Sequence, residues 1–228
     1  PVNFKNNHGI PNLDYVFDAA KNISQKITNN DLIIIESTCP VGTSEKIYSF
    51  IKKLRPDIHN FNLAYCPERI LPGNALFELE HNNRIVGGID KNSALQAERF
   101  YKLFVKGIID ITDANTAEMC KIVENSFRDV NLAFSNEVSI LADKLNVNVG
   151  NLISLANRHP RVSILTPGVG VGGHCLPIDP WFLINSFKED TNLMLTARQV
   201  NEGKTRWTIG KIEKKIDEFN RKNNRNPK

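Results

Sequence analysis

The feature that most constrains this chain is a change of period near Asn115. Before it, short apolar runs alternate with stretches whose apolar residues recur at helical spacing. "NLDYVFDAAKNISQKI" has helical period, and "DLIIIES" is a continuous apolar run, as a strand buried on both faces requires. "TSEKIYSFIKKL" opens on a capping hydroxyl and returns to helical period. "FNLAYC", "RIVGGI" and "GIIDIT" read as further short strands, with "NSALQAERFYKLF" a helix between the last two. After Asn115 the stretch "NTAEMCKIVENSFRDVNLAFSNEVSILADKLN" is one long helical pattern, apolar at Met119, Ile122, Val123, Val130, Ala133, Phe134, Val138 and Leu141. "VGNLISLANR" is a shorter helix, and the run from Thr191 to Phe219 gives one or two more.

Strands alternating with helices predict a parallel α/β sheet. Three or four strands make only part of a doubly wound sheet, and neither a strand nor a glycine fingerprint opens the chain. The expected fold class is α/β. Residues 1–112 form the C-terminal half of a Rossmann-like parallel sheet, and residues 113–228 an all-helical domain. The expected molecule is a fragment.

At 228 residues, with 41% hydrophobic and 24% charged content, the chain can build one large or two small globular domains. No apolar run approaches the ~20 residues of a membrane span, so no membrane partner is expected. The net charge of +4 is mild. The basic residues gather in the last quarter as a charge-patterned helix face without aromatic interleaving, which argues against nucleic acid. Cys39, Cys66, Cys120 and Cys175 form no C-x-x-C pair and have no histidine at zinc spacing. Neither a metal nor a disulfide framework is expected, and Cys120 reads as a packing thiol. No basic-then-apolar leader opens the chain, which makes cytoplasmic the expected location.

The stretch "TPGVGVGGHCLPIDPWF" holds G-x-G-x-x-G at Gly168, Gly170 and Gly173. A dinucleotide cradle needs a helix after its glycines, and here Pro177 and Pro180 stand where that helix should run. The other reading is a loop whose glycines let backbone approach a bulky ligand and which presents Cys175. That cysteine is a nucleophile or a structural thiol. His174 is adjacent without having to face it, and the charge of Asp179 disfavours thiolate. Lys121 and Asn125 lie four apart on the long helix and share a face, either aimed at one site or merely solvated. Ser37 and Thr38 follow the strand "DLIII", and Glu68 and Arg69 follow "FNLAY". Strand carboxyl ends are where ligands bind in such sheets, although ordinary turn chemistry also accounts for Ser37 and Arg69.

"ESTCPVGT", "AYCPERILPGN", "NTAEMCKIVENSFRDVNLAFSNEVS", "LANRHPRVSIL" and "PGVGVGGHCLPIDPWFL" occur in this order and reach to about Asn201. Together they resemble the NAD-dependent nucleotide-sugar 6-dehydrogenases, the UDP-glucose/GDP-mannose dehydrogenase family. The "CPERILPG" and "DPWFL" stretches favour its N-acetylmannosamine branch. The resemblance implies oxidation of the C6 alcohol of a UDP-sugar to the uronate through a thioester on Cys175, with NAD as cofactor. It casts Lys121 and Asn125 as oxyanion stabilisers and Asp179 as water-positioning group or base. Glu68 becomes the acid–base, and Thr38, with Ser37, stands near the nicotinamide. Glu68, Arg69, Lys121, Asn125, Arg161, His174, Gly172 and Gly173 would meet the substrate. It also implies a homodimer through the central helix, with Arg161 acting across the interface, and a C-terminal UDP-binding domain that this chain lacks. A family carboxylate is replaced by Pro72, and a lysine of the UDP-glucose branch by Ile178. The alternatives are an inert dimerisation or sugar-nucleotide-binding module, or a related UDP-N-acetylglucosamine, UDP-glucose or GDP-mannose enzyme.

Overall fold

The computed structural model describes residues 3–4, 10–71 and 73–223; Pro72 lies outside them. The chain divides into two compact units, residues 1–124 and 125–228. Strands β1 (Asn3–Phe4) and β2 (Pro11–Asn12) of the first unit pair as a short antiparallel ribbon. They lead into helix α1 (Asp14–Ser24). The main sheet follows as β3 (Leu32–Ile35), β4 (Asn62–Tyr65), β5 (Arg84–Gly88) and β6 (Ile109–Asp113), in that spatial order. Helix α2 (Thr43–Leu54) connects β3 to β4, and α4 (Lys91–Tyr101) connects β5 to β6; both strand pairs are parallel, as the alternating pattern predicts.

One pair departs from a purely parallel sheet. β5 runs antiparallel to β4, with Ala64 opposite Gly88 and Tyr65 opposite Gly87. The link between them carries α3 (Ala75–His81), a seven-residue helix absent from the sequence-based pattern. At 1.5 Å per residue it rises about 10 Å, too little for a full crossover. β5 therefore starts at the edge where β4 ends, which brings Arg84 to the carboxyl end of β4.

β4 is buried along its whole length, whereas β3, at the sheet's edge, is half-buried throughout. Ile47, Ile51, Phe61 and Leu63 pack with Ala20 on one side. Val86, Ala97, Tyr101 and Val105 pack with Ala64 and Cys66 as a second cluster. Asp90 caps α4, its carboxylate accepting from the Ser93 N–H at 2.7 Å. Gly87 sits where β5 meets the start of the long helix that follows β6. A Cβ there would lie 2.4 Å from the Asp113 carbonyl oxygen and 2.6 Å from the Ala117 Cβ. Gly87→Ala is therefore expected to destabilise the unit by about 3 kcal/mol through overpacking against backbone, read as a lower denaturation midpoint in urea. A wild-type midpoint would show that β5 and this helix are not held so closely.

Helix α5 (Ala114–Lys144) has 31 residues, a rise of about 46 Å, and the division between units falls within it. Around its second part the other unit gathers α6 (Val149–Ala156), α7 (Pro180–Ser186) and the long α8 (Asn192–Asn223). Asn148 caps α6 by accepting from the Asn151 N–H at 2.9 Å. Pro180 stands at the first position of α7, where a missing N–H costs nothing. The run after Thr191, expected to give one or two helices, gives one. The unit's buried side chains include Ile153, Phe182, Leu183 and Ile184. No helix among the described residues is long and apolar enough to cross a membrane.

Candidate active site

In the first unit, the sheet's carboxyl edge carries four of the expected residues. Beyond β3 the chain turns through Ser37 and Thr38, whose hydroxyls make no hydrogen bond among the described residues, Ser37 being exposed and Thr38 half-buried. The turn ends at Gly42, whose φ of +85° lies in the left-handed region that glycine tolerates. No side chain of its own loop caps α2. The cap comes from Glu118 on α5, fully buried. Its carboxylate accepts from the Gly42 N–H at 2.6 Å, and from the Ser44 N–H and hydroxyl at 2.7 Å each. Burial raises the Glu118 pKa against these hydrogen bonds, which lower it. Cys39 is enclosed beside this carboxylate, and burial pushes its thiol far above the ordinary range. Cys39 is thus a core thiol.

Beyond β4, Glu68 is half-buried, and its Oε1 accepts from the N–H groups of Arg69 and Ile70 at 2.6 Å each. Arg84, 4% exposed, holds its Nη1 4.0 Å from the other oxygen of Glu68 and its guanidinium 4.8 Å from the Tyr101 ring centroid. Tyr101 in turn donates to Glu36 at 2.7 Å. Arg69 is ion-paired with Glu124 of α5. Lys121, one turn beyond Glu118, is half-buried and makes no hydrogen bond or ion pair among the described residues.

In the second unit, Cys175 is an exposed free thiol. Its carbonyl accepts from the N–H groups of Ile178, at 3.0 Å, and Asp179, at 2.8 Å, so the loop closes as a tight turn into α7. Asp179 is 4% exposed and accepts from the Asn125 amide at 2.5 Å. The glycine stretch lies in open loop without the helix a dinucleotide cradle requires. Gly173 has φ +92°, and Gly172, Gly173, His174 and Arg161 are all exposed. The structure thus joins Asn125 to Asp179 directly and presents the thiol four residues earlier. Arg161 and His174 lie in exposed loop.

Sequence reasoning passed over Glu118, Arg84 and a buried group made of Asp129, Asn136, Arg198 and Asn201. A signal for Asp129 was present: it follows Lys121 and Asn125 at successive four-residue steps on one helix face. Glu118 and Arg198 carried none, because only folding brings them to their partners.

The fold and site together define a class. Residues 1–105 match the NAD binding domain, and residues 115–203 the central domain, of the UDP-glucose/GDP-mannose dehydrogenase family, and the chain belongs to that family. It is 47% identical over 228 residues to a UDP-N-acetyl-D-mannosamine dehydrogenase of Campylobacter jejuni, covering 96% of this chain and 56% of the relative. It is 45% identical to an NDP-N-acetyl-D-galactosaminuronic acid dehydrogenase of Ralstonia nicotianae, covering 92% and 52%. The solved UDP-D-ManNAc dehydrogenase of Pyrococcus horikoshii superposes with a TM-score of 0.89 at 44% identity, covering 93% of this chain and 51% of that one. The chain spans about half the length of the curated relatives it matches.

Proposed function

We propose that the protein carrying this chain oxidises the C6 alcohol of a UDP-linked N-acetylhexosamine, UDP-N-acetyl-D-mannosamine, to the uronate. The observation that carries the reading is the turn holding Cys175, an exposed thiol whose loop ends on Asp179 in contact with Asn125. The matched NAD binding domain supports NAD as the oxidant. The residues present fit its nicotinamide end, since the hydroxyls of Ser37 and Thr38, unbonded among the described residues, stand at a strand's carboxyl end, where parallel sheets bind cofactors. When bound, NAD supplies the hydride acceptor, with two equivalents consumed per sugar.

The protein's own groups do the rest. Glu68 takes the proton from the C6 hydroxyl as the alcohol becomes an aldehyde. The thiolate of Cys175 adds to the aldehyde carbon, giving a thiohemiacetal, and loss of the second hydride leaves a thioester. Water attacks the thioester with Asp179 positioning it and accepting its proton; the carbon–sulfur bond breaks and Cys175 is restored as uronate leaves. Lys121 and the Asn125 amide donate to the oxygen that carries negative charge in both tetrahedral species. Arg69, Arg161, His174 and the backbone at Gly172 and Gly173 contact the sugar nucleotide.

Residues 1–112 form the cofactor-binding part and residues 113–228 the central helical part. A homodimer through α5 accounts for an exposed apolar stripe at heptad spacing, Phe127, Phe134 and Leu141, with Leu145 one turn beyond.

The experiment is turnover of UDP-N-acetyl-D-mannosamine with the product identified by mass, expected to give two NADH per uronate. UDP-N-acetyl-D-galactosamine is the comparison, because the Ralstonia relative is as similar as several mannosamine enzymes. Faster turnover of the galactosamine sugar would move the assignment to that branch. NADH release without uronate would end the thioester mechanism.

A further inference from the structure

The second unit buries a polar network that the proposed chemistry does not use. Arg198 on α8 is 2% exposed and Asp129 on α5 is 1% exposed, paired at 2.7 Å from Nη1 to Oδ1. Asn201 donates to the same Oδ1 at 2.8 Å and to the Asp129 carbonyl at 3.0 Å, and accepts from the Asn136 amide at 2.9 Å.

Two of the hydrogen bonds that leave this network end on the cysteine loop. Asn136 Oδ1 accepts from the Gly168 N–H at 3.0 Å, at the loop's entry. Arg198 Nη1 donates to the Leu176 carbonyl at 3.4 Å, on the residue next to Cys175. With Asn125 on Asp179, the loop is held at its start, beside its thiol and at its end, by three side chains of α5 and α8.

As a stability device the arrangement is poor. A buried ion pair gains little over an apolar pair of the same volume. Here Asp129 Oδ2 and Arg198 Nε are also buried without a hydrogen-bond partner among the described residues, which costs further. What the pair does provide is a fixed donor at the Leu176 carbonyl. Asp129 and Asn201 hold the guanidinium so that its Nη1 meets the main chain one peptide from the thiol.

We propose that Arg198, oriented by Asp129, is a positioning residue for Cys175 that sets the thiol's placement for attack on the aldehyde. The inference rests on the reading of Cys175 as nucleophile. It specifies that Arg198 acts on the second oxidation and not on the first, in which the thiol takes no part.

The test compares wild type with Arg198→Met, Arg198→Lys and Asp129→Asn in three measurements. These are single-turnover hydride transfer from the alcohol, uronate formation from the C6 aldehyde supplied with NAD, and alkylation of Cys175 by iodoacetamide followed by peptide mass. A displacement near 1 Å costs about a hundredfold. Arg198→Met is therefore expected to slow the aldehyde step about a hundredfold while changing the alcohol step less than about threefold, and to change the Cys175 alkylation rate severalfold. Arg198→Lys, which keeps a donor and the charge, is expected to recover part of the loss. Asp129→Asn preserves shape and answers the question if Arg198→Met fails to fold; it is expected to shift the same two measurements in the same direction. Equal loss in both oxidation steps, or an unchanged alkylation rate, would overturn the proposal. If Cys175→Ser still made uronate, the catalytic reading would be the one to fall, and the alkylation rate would still decide whether Arg198 positions the thiol.

Discussion

Cys175→Ser is expected to lower uronate formation by at least about a thousandfold and to leave sugar-nucleotide binding nearly unchanged. A serine hydroxyl at neutral pH is a far weaker nucleophile than a thiol with an accessible thiolate. The side chain is exposed, so the variant should keep wild-type stability within about 0.5 kcal/mol, and lost activity cannot be assigned to lost folding. Cys120→Ser is the control, on a half-buried residue of α5. It is expected to retain both oxidation steps. The measurement is NADH release with the product weighed, alongside urea denaturation. Uronate formation by Cys175→Ser near the wild-type rate would remove the covalent intermediate from the mechanism.

Lys121→Met is expected to lower kcat by about a hundred- to a thousandfold, the usual cost of removing one preorganised donor from a developing oxyanion. The effect on KM should be small, because the charge that the ammonium meets exists only in the tetrahedral species. Lys121 is half-buried and has no partner among the described residues, so methionine of similar length leaves no group unpaired. Stability is expected to hold or rise slightly. A variant with unchanged kcat and a raised KM would instead make Lys121 a ground-state contact to the sugar nucleotide.

Both candidates were singled out in the sequence, for different reasons. Cys175 stood out because glycines and prolines bracket it, which marks a backbone shaped for close approach. Lys121 stood out with Asn125 because a 3.6-residue period puts them on one face. Alternating short runs gave the order of strands and helices in the first unit, since period and β-branched content are local properties. The mixed sheet was not legible in the same way. Whether β5 runs with or against β4 depends on what lies between them, and α3, a seven-residue stretch with no buried side chain, leaves no apolar stripe to read.

The sequence by itself determined the change from alternating strands and helices to long helices, the long helix α5, the thiol-bearing loop and the family resemblance, because each rests on local spacing or on an ordered set of short motifs. Only the tertiary structure decided which buried charges hold those parts in place. Glu118 caps a helix 75 residues before it in the chain, through Gly42 and Ser44; Arg84 approaches Glu68 because β5 reverses; Arg198 reaches Leu176 because α8 returns along α5. A charged residue looks the same in sequence whether it is solvated or enclosed. Its role is fixed by the partner that burial forces on it, and that partner is set by the path of the whole chain.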